Sequence, residues 1–147
     1  MNDVDLNPVA RLLGRSAAIL MVLGLLTGGL VSSAMTGMIR ASVQSAVAAH
    51  LNAILGAFFI LGVAWSLPLL GYGPAGQRRL AWLVIVPNYA NWAVTSVKSF
   101  LFVAGVGWDK QPANNAVFIA LTFTVVIPSL IAAVAWAAGF RKGISGN

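Results

Sequence analysis

The sequence predicts an all-α integral membrane protein, a four-helix bundle forming a single domain over 1–147. Three observations carry this. The chain is 59% hydrophobic and only 8% charged, with a mean hydropathy of +0.88, against about 25% charged residues in a soluble domain. Four apolar runs reach the roughly 20 residues that a membrane-crossing helix needs. Those runs are continuous, without the period-two alternation of a membrane barrel.

The first span is placed at 16–38. Arg11, Arg15 and the small residues Ser32, Ser33 and Ala34 would also suit a cleaved signal. The leading segment is long and carries Asp3 and Asp5, however, and the apolar run is long for a signal, so it is read as a retained helix. Gly24, Gly28 and Ser32 form a small-residue face on it. The second span, 47–70, carries a matching face in Ala49, Ala53 and Ala57, on the side of His50. Such faces permit close helix approach, within one chain or between copies. The turn Gly71-Tyr72-Gly73-Pro74-Ala75-Gly76 leads to the third span, 80–105. There Pro87 removes a backbone donor one turn before Asn91. Gly107 to Pro112 separates it from the fourth span, 116–140, which contains Pro128.

The net charge of +6 reflects topology. Arg11, Arg15, Arg78, Arg79, Arg141 and Lys142 fall on one side of such a bundle, Arg40 and Lys110 on the other. This asymmetry predicts both termini in the cytoplasm of a bacterial-type inner membrane. Trp65, Trp82 and Trp136 fall near the cytoplasmic ends and Trp108 near the outer end, as interfacial belts require. No dense basic face with interleaved aromatics exists, so nucleic acid is not an expected partner; the lipid bilayer is. Without cysteine there is no thiol nucleophile, disulfide or thiolate-held cofactor.

The third span holds the most informative pattern. Asn88, Asn91, Thr95 and Lys98 fall within about 80° of one helix face at 100° per residue. Polar groups at membrane depth are costly and mark functional sites. Counting depth from Leu70 and Leu80 puts His50 and Asn52 level with Lys98, and Asn88 and Asn91 opposite Phe59 and Gly62. The expected site is a polar cleft opening towards the outer leaflet, floored by Asn88 and Asn91.

Each residue also has a structural reading. Lys98 can snorkel to the interface. Asn88 and Asn91 can be interhelical hydrogen-bond partners, and Thr95 can bond back to its own helix. His50 can face interfacial water, and Trp92 can be core. The chemistry available is narrow. His50 is the sole imidazole and the acids Asp3, Asp5 and Asp109 lie outside the spans, which leaves no hydrolytic triad, zinc site or carboxylate cluster for a divalent metal. One histidine in an apolar helical setting can hold haem iron by one axial bond. Asn52 lies near it, and Arg40 and Lys98 are candidate propionate partners. An open ferric iron is a Lewis acid.

Ala49-His50, the run from Leu55 to Leu67-Pro68-Leu69-Leu70-Gly71-Tyr72, and Pro87-Asn88-Tyr89-Ala90-Asn91-Trp92 resemble the small four-helix membrane isomerases, which include styrene oxide isomerase and hydroxylaminobenzene mutase. The resemblance covers about residues 45–105. It implies a homotrimer with haem b at each subunit interface, His50 as axial ligand, and Asn91 as the motif asparagine. Two positions depart from the epoxide isomerase. Its asparagine six residues after the histidine is Gly56 here, and its active-site tyrosine is Thr95. Asn52 is the nearest substitute for the former, expected on another face of the helix. The motif Asn88-Tyr89-Ala90-Asn91-Trp92 is closer to the mutase branch.

The resemblance therefore implies a mutase that moves the hydroxyl of a small aryl hydroxylamine from nitrogen to the ring, a step of aromatic degradation. Asn91, Asn88, Thr95 and Lys98 would serve the polar chemistry, and Tyr89 and Trp92 would stack on the aromatic ring. Two alternatives stand beside it: an epoxide isomerase with the same cofactor, giving an aldehyde, and a non-catalytic membrane subunit or haem carrier.

Overall fold

The computed structural model describes residues 7–144. Asp3 and Asp5 lie outside the described residues, as does the side chain of Lys142. Among the described residues all regular structure is helical: α1 (Pro8–Met35), α2 (Val43–Ser66) with a 3₁₀ turn (Leu67–Leu69), α3 (Pro74–Leu101), and a fourth rod made of α4 (Pro112–Leu121), a π-helical turn (Thr122–Val126) and α5 (Ile127–Ile144).

Helix ends follow local chemistry. Proline opens α1, α3 and α4, where its missing N–H would have no partner in any case. Asn7 caps α1 by accepting from the Val9 amide at 2.9 Å, and Ser42 caps α2. Phe102 in the left-handed region ends α3. Asn114 clamps the following loop, accepting from the Gly105 amide and donating to the Gly107 carbonyl, both at 2.7 Å. The π turn falls just before Pro128, which has no N–H to continue the ordinary ladder.

Three of the four rods, 8–35, 43–69 and 112–141, are long and apolar enough to cross a membrane. The remaining rod, α3, is not among those three. Its 28 residues match α1 in length, but Asn88 and Asn91 lower its apolarity. Its inward positions Leu80, Ala81, Val84, Thr95 and Ser99 are buried by the other helices.

Packing is inverted relative to a soluble bundle. Large apolar groups such as Leu25, Leu26, Leu55, Phe58 and Val134 point outward, while Ala46, Ala49, Ala53 and Ala57 are fully buried between helices. That is how helices pack in lipid, where close backbone approach replaces water exclusion as the driving force. A Cβ on Gly24 would sit 3.0 Å from Ala53 Cβ and 3.3 Å from the Ile54 backbone nitrogen, so the small-residue faces of α1 and α2 meet within one chain. At the basic end, Tyr72 donates to the Ala135 carbonyl at 2.6 Å and Trp136 to Ser66 Oγ at 2.8 Å, tying the fourth rod to α2 and its turn.

The register of α2 against α3 differs from the depth count. The Ser42 amide donates to the Ser99 carbonyl, Asn52 meets Asn91 and Thr95, and Gly56 meets Asn88. Asn52 is therefore level with Asn91 and not with Lys98, and Asn88 faces Gly56 and not Phe59 or Gly62. The count began where the apolar run begins, at Leu80. The helix itself begins at Pro74, in a basic first turn that hydropathy cannot see.

Candidate functional site

His50 is half-buried near the start of α2. Its Nδ1 lies 2.7 Å from the Gly24 carbonyl of α1, and its ring lies across Gly28, whose Cβ would meet ring atoms at 3.4 and 3.5 Å. A carbonyl only accepts, so Nδ1 carries the proton. In the neutral ring Nε2 then keeps its lone pair, the arrangement found in metal-bound histidines whose other nitrogen donates to a backbone oxygen.

A second polar group lies between α2 and α3. Asn52 Nδ2 donates to Asn91 Oδ1 at 3.0 Å and to Thr95 Oγ1 at 3.3 Å, and Thr95 donates to Asn91 Oδ1 at 3.3 Å. Two donors thus converge on Asn91 Oδ1 and fix the orientation of its amide. The expectation that Asn52 points to another face from Gly56 is overturned. Four residues apart on a helix, both lie on the α3 side, where Asn88 Oδ1 occupies the space 2.7 Å from a Cβ built on Gly56. Asn88 is held there by its own bond to the Val84 carbonyl at 2.7 Å.

The single cleft expected to unite His50 with the amides is divided. His50 and Asn52 are two residues apart, about 200° around α2. One turns to α1, the other to α3, and no hydrogen bond joins His50 to the amide group among the described residues. Lys98 Nζ donates to the Ala104 carbonyl at 2.9 Å, away from Asn91, beside a cavity of ≈ 240 Å³ bordered by Gln44, Ser45 and Ala48. Arg40 is exposed, its guanidinium 5.7 Å from the Phe102 ring centroid. Pro87 is buried, lies towards Pro128, and leaves α3 unbroken.

The aromatic candidates are tethered to α1. Trp92 Nε1 donates to Thr27 Oγ1 at 2.9 Å, and Thr27 in turn donates to the Leu23 carbonyl at 2.7 Å. Tyr89 donates to the Ser16 carbonyl at 2.8 Å. The sequence reading missed Thr27. Its signal is a lone hydroxyl inside an apolar span, beside the Gly24 and Gly28 face. Fewer than two turns of α1, Leu23 to Gly28, therefore fix both His50 on α2 and Trp92 on α3.

Among the described residues no three His, Cys, Asp or Glu side chains gather into a metal-chelating group. With Nδ1 engaged by the Gly24 carbonyl, Nε2 is the ring nitrogen of His50 that a single ligand could use.

The sequence profile of the styrene oxide isomerase family matches residues 9–141. Hydroxylaminobenzene mutase HabB of Ectopseudomonas oleovorans is 29% identical over 98 residues, covering 67% of this chain and 56% of that protein. The matched part is thus just over half the length of this curated relative. No solved structure matches. With the profile running from the first turn of α1 to the last turns of α5, the chain belongs to the styrene oxide isomerase family.

Proposed function

We propose that this chain is a membrane-embedded mutase that rearranges an aryl hydroxylamine to an aminophenol, with ferric haem b held through His50 Nε2. The observation that carries the cofactor reading is the His50 Nδ1 bond to the Gly24 carbonyl. Similarity to HabB and Gly56, where the epoxide isomerase has an asparagine, support the substrate class.

The reaction is an isomerisation and needs no oxidant or reductant. The N–O bond breaks, a C–O bond forms on the ring, and a ring proton is lost as nitrogen gains one. When bound, haem supplies a Lewis-acidic ferric iron that weakens the N–O bond.

The chain's own residues do the rest. The Gly24 carbonyl orients the His50 ring and raises the basicity of Nε2. Asn52 and Thr95 hold Asn91 Oδ1, so its NH₂ is the group presented to a departing hydroxyl oxygen. Thr95, only 3% exposed, acts through Asn91. Trp92 and Tyr89, tethered to α1, wall the aromatic ring. Arg40 and Lys98 lie at one end of the bundle, the end suited to propionates. Because α2 separates His50 from the amides, a complete site would join the α1–α2 flank of one copy to the α2–α3 flank of another, in keeping with a homotrimer.

The test is turnover of phenylhydroxylamine and styrene oxide by one haem-loaded preparation. Aminophenol formation supports the proposal. Epoxide turnover alone would replace it with the epoxide isomerase reading.

A further inference from the structure

The basic end of α3 has a construction that the reaction does not use. Arg78 and Arg79 are exposed in its first turns. Arg79 borders three neighbouring cavities. One, of ≈ 560 Å³, lies against the start of α1 and also takes Arg78 and Trp82. A second, of ≈ 500 Å³, continues along α3 over Trp82, Leu83, Val86 and Pro87 to Pro128 at the start of α5. A third, of ≈ 300 Å³, lies towards Tyr72 and Ala135. The second is a purely apolar groove apart from the arginine at its mouth. Two prolines form its far end, and the π turn before Pro128 lies beside it. Trp82 and Val86 are each about half exposed along its length, at 48% and 52%.

Charge decides the occupant. Among the described residues the one acid is Asp109, in the loop beyond the opposite end of α3, and the helix from Arg79 to that end is itself about 33 Å long. A second copy of the chain would bring more arginines to this level and no described carboxylate. A zwitterionic lipid would bring its own cation. An anionic phospholipid complements the described lining, with a phosphate without a cation at the basic mouth and a hydrocarbon chain for the apolar floor.

We propose that the groove between α3 and α5 is a binding site for one anionic phospholipid, its phosphate on Arg79 with Arg78 beside it, and one acyl chain lying over Trp82 and Val86 towards Pro128. The site is separate from His50 and the amide group, and it stands whichever reaction the protein performs.

The test is native mass spectrometry of the full chain in mild detergent, titrated with dioleoylphosphatidylglycerol and, separately, dioleoylphosphatidylcholine. The wild type is expected to retain phosphatidylglycerol preferentially. Arg79→Gln should lower that retention about fivefold, the effect of one basic residue near an anionic headgroup, and leave phosphatidylcholine unchanged. Arg79→Lys should keep most of the preference, and Val86→Trp, which fills the groove, should lower it. Equal retention of the two lipids by the wild type, or a preference that survives Arg79→Gln, overturns the proposal. So does a fall in oligomeric mass on Val86→Trp without any change in lipid retention, which would make the groove a contact between copies.

Discussion

His50 Nδ1 and the carbonyl of Gly24 are 2.7 Å apart across the α1–α2 interface, and this one contact sets the tautomer of the chain's only histidine. It also ties the direction of Nε2 to the position of the α1 backbone. In His50→Ala, the haem absorbance band expected of the purified wild type should be lost or shifted, and aryl hydroxylamine turnover abolished. Full activity in that variant would remove His50 from the site.

The same interface discriminates between two glycines. A Cβ on Gly24 would be 3.0 Å from Ala53 Cβ and 3.1 Å from Ile54 Cγ1, with backbone close behind, whereas on Gly28 the nearest atom is at 3.4 Å, an ordinary contact. Gly24→Ala should therefore destabilise the bundle by about 1–3 kcal/mol through overpacking, and Gly28→Ala by much less. Thermal unfolding of the two variants in detergent checks the ranking. Gly28→Ala still touches the His50 ring, so its effect should show in the haem spectrum before it shows in stability.

Thr27 holds the Trp92 indole through a relay that ends on the Leu23 carbonyl. Thr27→Val keeps the shape and removes the acceptor. It should cost about 1–3 kcal/mol for the stranded indole N–H and raise KM for an aromatic substrate more than it lowers kcat. Thr27→Ser should restore both.

Asn52 and Asn91 form an interhelical amide pair. A double-mutant cycle with alanine at each should give a coupling of about 0.6 kcal/mol in stability, the usual size for such pairs in membranes. The coupling in kcat should be larger, because Asn91 loses its orientation when Asn52 is removed. A kinetic coupling no larger than the stability coupling would reduce the pair to helix packing.

Gly56 and Asn88 share one space, with Asn88 Oδ1 2.7 Å from where a Cβ on Gly56 would lie. Gly56→Asn should lower both stability and mutase activity. Adding Asn88→Ala should recover the stability. If styrene oxide turnover appears in the double variant, this exchange separates the two substrate classes. A stable, fully active Gly56→Asn single variant would contradict the packing described here.

Much of the protein is legible in its sequence. Apolar length and charge asymmetry define the helices, because the membrane imposes both on the chain locally. The polar stripe of α3 and the lone His50 stand out for the same reason: a costly group at depth is visible without any partner. The helix starts at Pro8, Pro74 and Pro112 lie outside the apolar runs, so hydropathy misplaced them and shifted the α2–α3 register by nearly two turns. What only the tertiary structure decided is partnership. Periodicity gives a direction around one helix but not which neighbour lies there, so it placed His50 and Asn91 in one cleft. Packing turned His50 to Gly24, Asn52 to Asn91 and Trp92 to Thr27, because Gly24 and Gly56 let α1 and Asn88 come within contact distance of α2.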